Sequence, residues 1–125
     1  MQDFKKLKVW EKSHLLTLNI YQLTKSFPKE ELFGLTSQLR RSSVSIPANI
    51  AEGTGKNTTN DITRYFQISL GSLQETEYYL ILAKDLNYIS SEYYINANNL
   101  LNEVKAMLIT LIQKNRVYED PENYG

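Results

Sequence analysis

Seven positions, Ile62, Phe66, Ser69, Leu73, Thr76, Leu80 and Ala83, follow one another at steps that alternate between four and three residues. That rhythm keeps the side chains on one stripe of an α-helix and is the seam of helices lying lengthwise against one another. A β-strand, whose side chains switch face at every residue, does not produce it. Tyr94, Ala97, Leu101, Val104, Leu108 and Leu111 repeat the pattern, so a helix over 91–116 should pack beside one over 59–86. Thr58 followed by Asp61 resembles a capping box with Asp in place of Glu and starts the first of the pair. Asn87-Tyr88 is the short connection, and Ser90 or Ser91 caps the second.

Upstream, Trp10, Leu15, Leu18 and Tyr21 recur at mostly helical spacing and mark a helix over 9–26. Phe27-Pro28 ends it, because the residue before proline is pushed out of the helical region. A single turn over Glu30–Gly34 then leads into a helix over 32–53 with an inward stripe of Leu35, Leu39, Ser43, Ile46 and Ile50. Gly53 and Gly55 close it if glycine takes the left-handed conformation there. Four amphipathic helices with short connections fold most economically as an antiparallel up-and-down bundle. The expectation is therefore an all-α single domain over 1–125, with a frayed tail at 117–125.

Pro47 falls inside the second helix. It removes one amide donor and crowds the carbonyl four residues back, that of Ser43, at a cost of roughly 3 kcal/mol. If the helix continues through Pro47 it bends, and the freed carbonyl needs water or a side-chain hydroxyl. The small residues Ser42, Ser43, Ser45, Ala48 and Ala51 would then let a neighbouring helix approach closely. Alternatively Pro47 ends one helix and Asn49 caps another. The kinked continuous helix is the reading adopted.

Several chemistries are excluded by composition. The 125 residues contain no cysteine, which removes disulfides, thiolate metal sites and a cysteine nucleophile, and the one histidine, His14, cannot build a multi-histidine zinc site alone. Glu75 and Glu77 are two apart on a helix and face different directions, so they form no carboxylate pair. Gly53-Thr54-Gly55-Lys56 lacks the spacing and the preceding strand of a phosphate-binding loop. Neither an enzyme nor a cofactor is expected. No apolar run approaches the ~20 residues of a membrane span, and a cytoplasmic location is the default expectation.

The charge is balanced overall but not along the chain. Residues 1–64 carry ten Lys/Arg against six acids, and residues 65–125 four against eight. Such asymmetry suits an anionic partner or the packing of one copy on another. The candidate nucleic-acid contacts are Lys5, Lys6, Lys8 and Lys12 near the first helix, with Arg40, Arg41, Lys56 and Arg64 around the second and its exit. Arg40 and Arg41 point about 100° apart on a helix, and bridging to Glu75 or Glu77 competes with phosphate binding. Glu52 is read as pairing across the bundle with an arginine or receiving capping hydrogen bonds. Nine tyrosines, five of them between Tyr78 and Tyr94, could anchor a protein partner.

The runs LKVWEKSH (7–14), FPKEELFGLTSQLRRSSVSIPANIAEGTGK (27–56), ISLGSLQETE (68–77) and LNYI (86–89) resemble the four-helix-bundle proteins of the 23S ribosomal RNA intervening-sequence family. The similarity spans nearly everything from Asp3 to Leu111, and its most specific phrase is QLRR followed by S-I-P-x-N-I-A-E-G. The resemblance implies an up-and-down bundle and, through related proteins, a ring-like homopentamer. The family is also similar to accessory variability proteins of diversity-generating retroelements, which associate with a reverse transcriptase and nucleic acid. Two functional expectations follow: an oligomeric bundle that binds RNA or a ribonucleoprotein partner through its basic half, or an interaction and self-assembly scaffold without nucleic acid.

Overall fold

The computed structural model describes residues 3–119, with side chains described over 3–115. Four helices account for nearly all of it: α1 (Lys8–Thr24), α2 (Leu35–Thr54), α3 (Thr59–Asp85) and α4 (Ser91–Glu119), with 3-10 turns at Phe4–Lys6 and Lys29–Glu31. No strand occurs among the described residues. Beyond Glu119, the tail expected to fray over 117–125 lies outside the described residues.

Each helix boundary has a local cause. Asp3 accepts the amide of Lys5 at 3.1 Å and starts the turn that leads into α1. Glu31 reaches forward to accept the amide of Leu35 at 3.0 Å, supplying the first turn of α2 with an acceptor it otherwise lacks. Thr58 caps α3 by accepting from Asp61 at 3.1 Å, and Ser90 does the same for Tyr93 in α4. Between α3 and α4, Asn87 sits at φ 64. The amide of Tyr88 donates to the Ala83 carbonyl and that of Asn87 to the Lys84 carbonyl, both at 2.9 Å. This 6→1 and 5→2 pair is a Schellman motif, built on asparagine rather than glycine.

The inward stripes of α2, α3 and α4 are those expected. Leu39, Ser43, Ile46 and Ile50 of α2, Leu73, Thr76, Leu80 and Ala83 of α3, and Leu101, Val104 and Leu108 of α4 are all fully buried. Burying a side chain of the Leu or Ile class contributes about 1.5–3 kcal/mol, so this shared interior is the main stabilising term. Helix α1 forms where the sequence marks it, but its buried face is not the one the marker residues occupy. Leu15, Leu18 and Tyr21, the positions that mark it in the sequence, are 48%, 53% and 40% exposed, and its buried face is Val9, Ser13, Leu16, Thr17, Ile20 and Thr24.

Contacts between neighbouring helices run in opposite chain order, as they do for antiparallel neighbours. Ser42 meets Thr76, Ser45 meets Ser72, and the Ile46 carbonyl meets Ser69. Further along, a Cβ placed on Gly53 would lie 3.0 Å from Tyr65 Cβ. On the other flanks, Thr17 meets Ser43 and Thr24 meets Arg40, while Glu77 pairs with Lys105 and Lys84 lies over Tyr94.

Helix α2 runs without interruption through Pro47. The carbonyl that the proline leaves without a partner, Ser43 O, accepts the Thr17 hydroxyl of α1 at 2.9 Å. Thr17 Oγ1 also lies 3.1 Å from the Ser13 carbonyl of its own helix, but a hydroxyl has one hydrogen. Ser13 O already has its helical donor, the Thr17 amide, so Ser43 has the greater need. On the α3 side the seam is made of hydroxyls: Ser69 donates to Ile46 O at 2.8 Å, Ser45 meets Ser72 at 2.7 Å, and Ser42 meets Thr76 at 2.8 Å. Of the small residues around Pro47, Ser42 and Ser45 face α3 and Ser43 faces α1. Ala48 is exposed.

Candidate nucleic-acid interface

The fold divides the eight candidate cations into two groups. The chain enters α1, leaves α2 and enters α3 at the same end of the bundle, which brings Lys5, Lys6 and Lys8 to the end that carries Lys56 and Arg64. A cavity of about 510 Å³ at this end is lined jointly by Leu7, Thr54, Lys56, Asn57, Ile62, Phe66, Leu111 and Asn115. A neighbouring apolar cleft of about 400 Å³ shares Leu7 and Leu111 with it and has Lys8 on its wall. Lys12 sits a turn further along α1 and bridges to Glu103 of α4 at 3.0 Å.

Lys5, Lys6 and Lys8 are exposed and form no ion pair among the described residues. Lys56 pairs with Glu52 at 3.4 Å and Arg64 with Asp61 at 3.7 Å, each one turn along its own chain segment. Both cations also lie over the Tyr65 ring, at 5.0 and 4.9 Å from its centre. Exposed pairs of this kind contribute little, about 0–1 kcal/mol, so the positive charge remains accessible to an anion.

Arg40 and Arg41 are elsewhere. Arg40 lies in the groove between α1 and α2, donating from Nε to Thr24 Oγ1 at 2.7 Å with its guanidinium 4.8 Å from the centre of the Tyr21 ring. Arg41 donates to Gln38 on its own helix. Neither bridges Glu75 or Glu77: Glu75 accepts the Tyr79 hydroxyl at 2.8 Å, and Glu77 is taken by Lys105 at 2.9 Å.

Two structural assignments are corrected, and the alternative with Asn49 as a cap falls away. Among the described residues Glu52 does not pair across the bundle; exposed at the end of α2, it reaches Lys56. Helix α2 ends at Thr54 with Gly55 as its C-cap, between the two glycines, but no glycine among the described residues has positive φ, so neither Gly53 nor Gly55 closes it in a left-handed conformation. The role of Gly53 is spatial, because an added Cβ would crowd Tyr65, Phe66 and the Ile62 carbonyl at 3.0–3.3 Å. Asn49 caps nothing. It lies inside α2 and donates to Ser45 O and Ser45 Oγ at 2.8 and 2.9 Å, which orients the Ser45 hydroxyl toward Ser72.

Two features escaped the sequence. One is the end cavity, assembled from four separate segments. The other is the Glu31 carboxylate, which holds Leu35 N and also accepts the Tyr88 hydroxyl at 2.9 Å, tying the α1–α2 connection to the α3–α4 connection. The amide and the hydroxyl hold the Glu31 carboxyl below its ordinary range, and the same carboxylate pushes the Tyr88 phenol up. His14 stacks on Trp10, ring centres 5.0 Å apart and planes 9° from parallel. Among the described residues, no group of three or more His, Asp or Glu side chains is arranged to hold a metal ion. No helix of the described residues is long and apolar enough to cross a membrane.

These observations define an all-α protein of four helices around one buried seam, with Lys5, Lys6, Lys8, Lys56 and Arg64 brought to one end beside Asp3, Glu52 and Asp61. The family model described as 23S rRNA-intervening sequence protein matches residues 5–110, and the chain belongs to that family. Among solved structures, a protein of unknown function from the S23 ribosomal protein family of Bacteroides thetaiotaomicron VPI-5482 is 34% identical, with 84% of this chain and 95% of that chain covered and a TM-score of 0.78. No curated protein matches the chain.

Proposed function

We propose that the protein is a non-enzymatic bundle that self-associates and binds RNA, alone or in a ribonucleoprotein, through its cationic end. The observation that carries this reading is the convergence of Lys5, Lys6, Lys8, Lys56 and Arg64 on one end of a chain whose formal net charge is zero. Phosphate contacts release condensed counterions, so a small lysine cluster gives modest, salt-dependent affinity. Several copies in one assembly multiply it. The family description, which refers to an intervening sequence of 23S rRNA, supports RNA as the polymer.

Self-association is supported by apolar side chains left outside the core. Leu15, Leu18 and Tyr21 on α1 and Tyr78, Ile81, Ile95 and Ile109 on α3 and α4 are 38–57% exposed, and Phe33 is 92% exposed. Exposed apolar surface of this extent marks interaction sites. The same observation favours a second reading, a self-assembly or protein-interaction scaffold that binds no nucleic acid. One sample decides between them: its solution mass by light scattering, then titration with RNA and DNA at several salt concentrations. The RNA reading expects an oligomer whose RNA affinity falls as salt rises. No binding at low salt, or binding indifferent to salt, overturns it and leaves the scaffold.

A further inference from the structure

The 510 Å³ cavity at the cationic end has a composition that the lysines alone do not explain. Leu7, Ile62, Phe66 and Leu111 give it an apolar lining, and Asn57 and Asn115 add two carboxamides to the same lining as Thr54 and Lys56. Among the described residues no carboxylate lines it. We propose that this cavity receives an unpaired nucleobase, with Lys56 and the neighbouring Lys8 on the flanking phosphates. The proposal rests on the RNA-binding reading and narrows it to single-stranded segments.

Three physical arguments carry it. The volume falls in the range of small-ligand pockets, about 300–1,000 Å³, which admits a base and its ribose. A carboxamide offers both a donor and an acceptor, the pairing a base edge requires, and the apolar lining can take the base's faces out of water. Of the cations nearby, Lys56 is held by an exposed carboxylate at 3.4 Å and by the Tyr65 ring face at 5.0 Å, and Lys8 has no ion-pair partner among the described residues. Both can move to a phosphate at little cost. Bases inside an A-form duplex are paired and stacked, so a duplex can engage the lysines but not the cavity.

The test compares two RNAs with equal phosphate number, a hairpin with an unpaired loop and a fully paired duplex, by fluorescence anisotropy on the full chain at matched salt. Wild type should prefer the hairpin by about tenfold, the scale of one good base contact. The double variant Asn57→Ala/Asn115→Ala, and independently the cavity-filling Leu7→Trp, should lower hairpin affinity to the duplex level while leaving duplex affinity and its salt dependence unchanged. Equal affinity of wild type for the two RNAs, or a hairpin preference that survives both variants, overturns the nucleobase site and leaves RNA binding standing. Failure to bind either RNA overturns both.

Discussion

At Pro47 the backbone surrenders a hydrogen bond inside a helix, and the repair comes from another helix. Thr17 Oγ1 fills the place that an amide at position 47 would have taken on Ser43 O. Thr17→Val keeps the shape and removes the donor, leaving a buried carbonyl unpaired at a cost of about 1–3 kcal/mol. Pro47→Ala restores an amide to the same carbonyl, so the cost of Thr17→Val should shrink in that background. Urea denaturation of the four members of this double-mutant cycle measures the coupling. If Thr17→Val costs the same with alanine at 47 as with proline, the hydroxyl does not serve the proline's carbonyl. A second carbonyl in this stretch, Ile46 O, receives Ser69 from the opposite side. Pro47 is therefore flanked by hydroxyl donors from two helices, which explains why serine and threonine rather than larger apolar residues occupy these buried positions.

Among the elements, two glycines within helices should respond with opposite sign to the same substitution. Gly→Ala in a helix interior gains up to about 1 kcal/mol where space permits. At Gly71 of α3 an added Cβ meets nothing within 4 Å, whereas at Gly53 of α2 it meets the side chains of Tyr65 and Phe66 and the Ile62 backbone. Gly71→Ala should raise the thermal midpoint. Gly53→Ala should lower it, because separating α2 from α3 also stretches the hydroxyl contacts between them, and overpacking costs about 1–3 kcal/mol. Equal midpoints for the two variants would show that α2 and α3 are not in forced contact at position 53.

The links between elements titrate. Glu31 has a folded-state pKa below its ordinary value of 4.5, caused first by the Leu35 amide and then by the Tyr88 hydroxyl. Its contribution is thus fully present above about pH 4.5 and is lost as pH falls through the lower, folded value. Tyr88 is raised above 10.0 by the same bond, so its contribution holds below pH 10 and disappears as pH rises through the folded value. Melting Glu31→Gln and wild type across the pH range should show a gap at neutral pH that narrows below pH 4.5. A constant gap would mean that the carboxylate does not hold the two connections together. These elements also show what can be read from a chain. The 4-3 rhythm of α3 and α4 survives folding because both present a continuous apolar stripe to their neighbours. The inward face of α1 is not legible from its apolar residues, because its buried side includes Ser13, Thr17 and Thr24, each donating to a main-chain carbonyl, while larger residues face out. Hydrophobicity points to the wrong side of a helix whose interior face is half hydroxyl.

Over the whole molecule, the path of the chain decides which charges act together. In the sequence the eight candidate cations, among the ten Lys/Arg of the first 64 residues, count as one basic half, but sequence distance carries no information about which end of a bundle a residue reaches. Lys56 is 48 positions from Lys8 and lies at the same end, whereas Arg40, closer in sequence, is committed to the groove between α1 and α2. Two classes of variant therefore separate under RNA titration. Removing Lys5, Lys6 and Lys8 together, as alanines, deletes about three phosphate contacts. On a single-stranded RNA this should flatten the dependence of log affinity on log salt by about 2, at roughly 0.7 per phosphate. Arg41→Ala should leave the slope almost unchanged, and Arg40→Ala should lower stability instead, because Thr24 and Tyr21 lose their partner. Anisotropy titrations over a salt series, paired with a melt of each variant, read both quantities. A slope that falls as far for Arg41→Ala as for the lysine triple would place the anion-binding face along α2, and the cationic end would then be ordinary solvated surface.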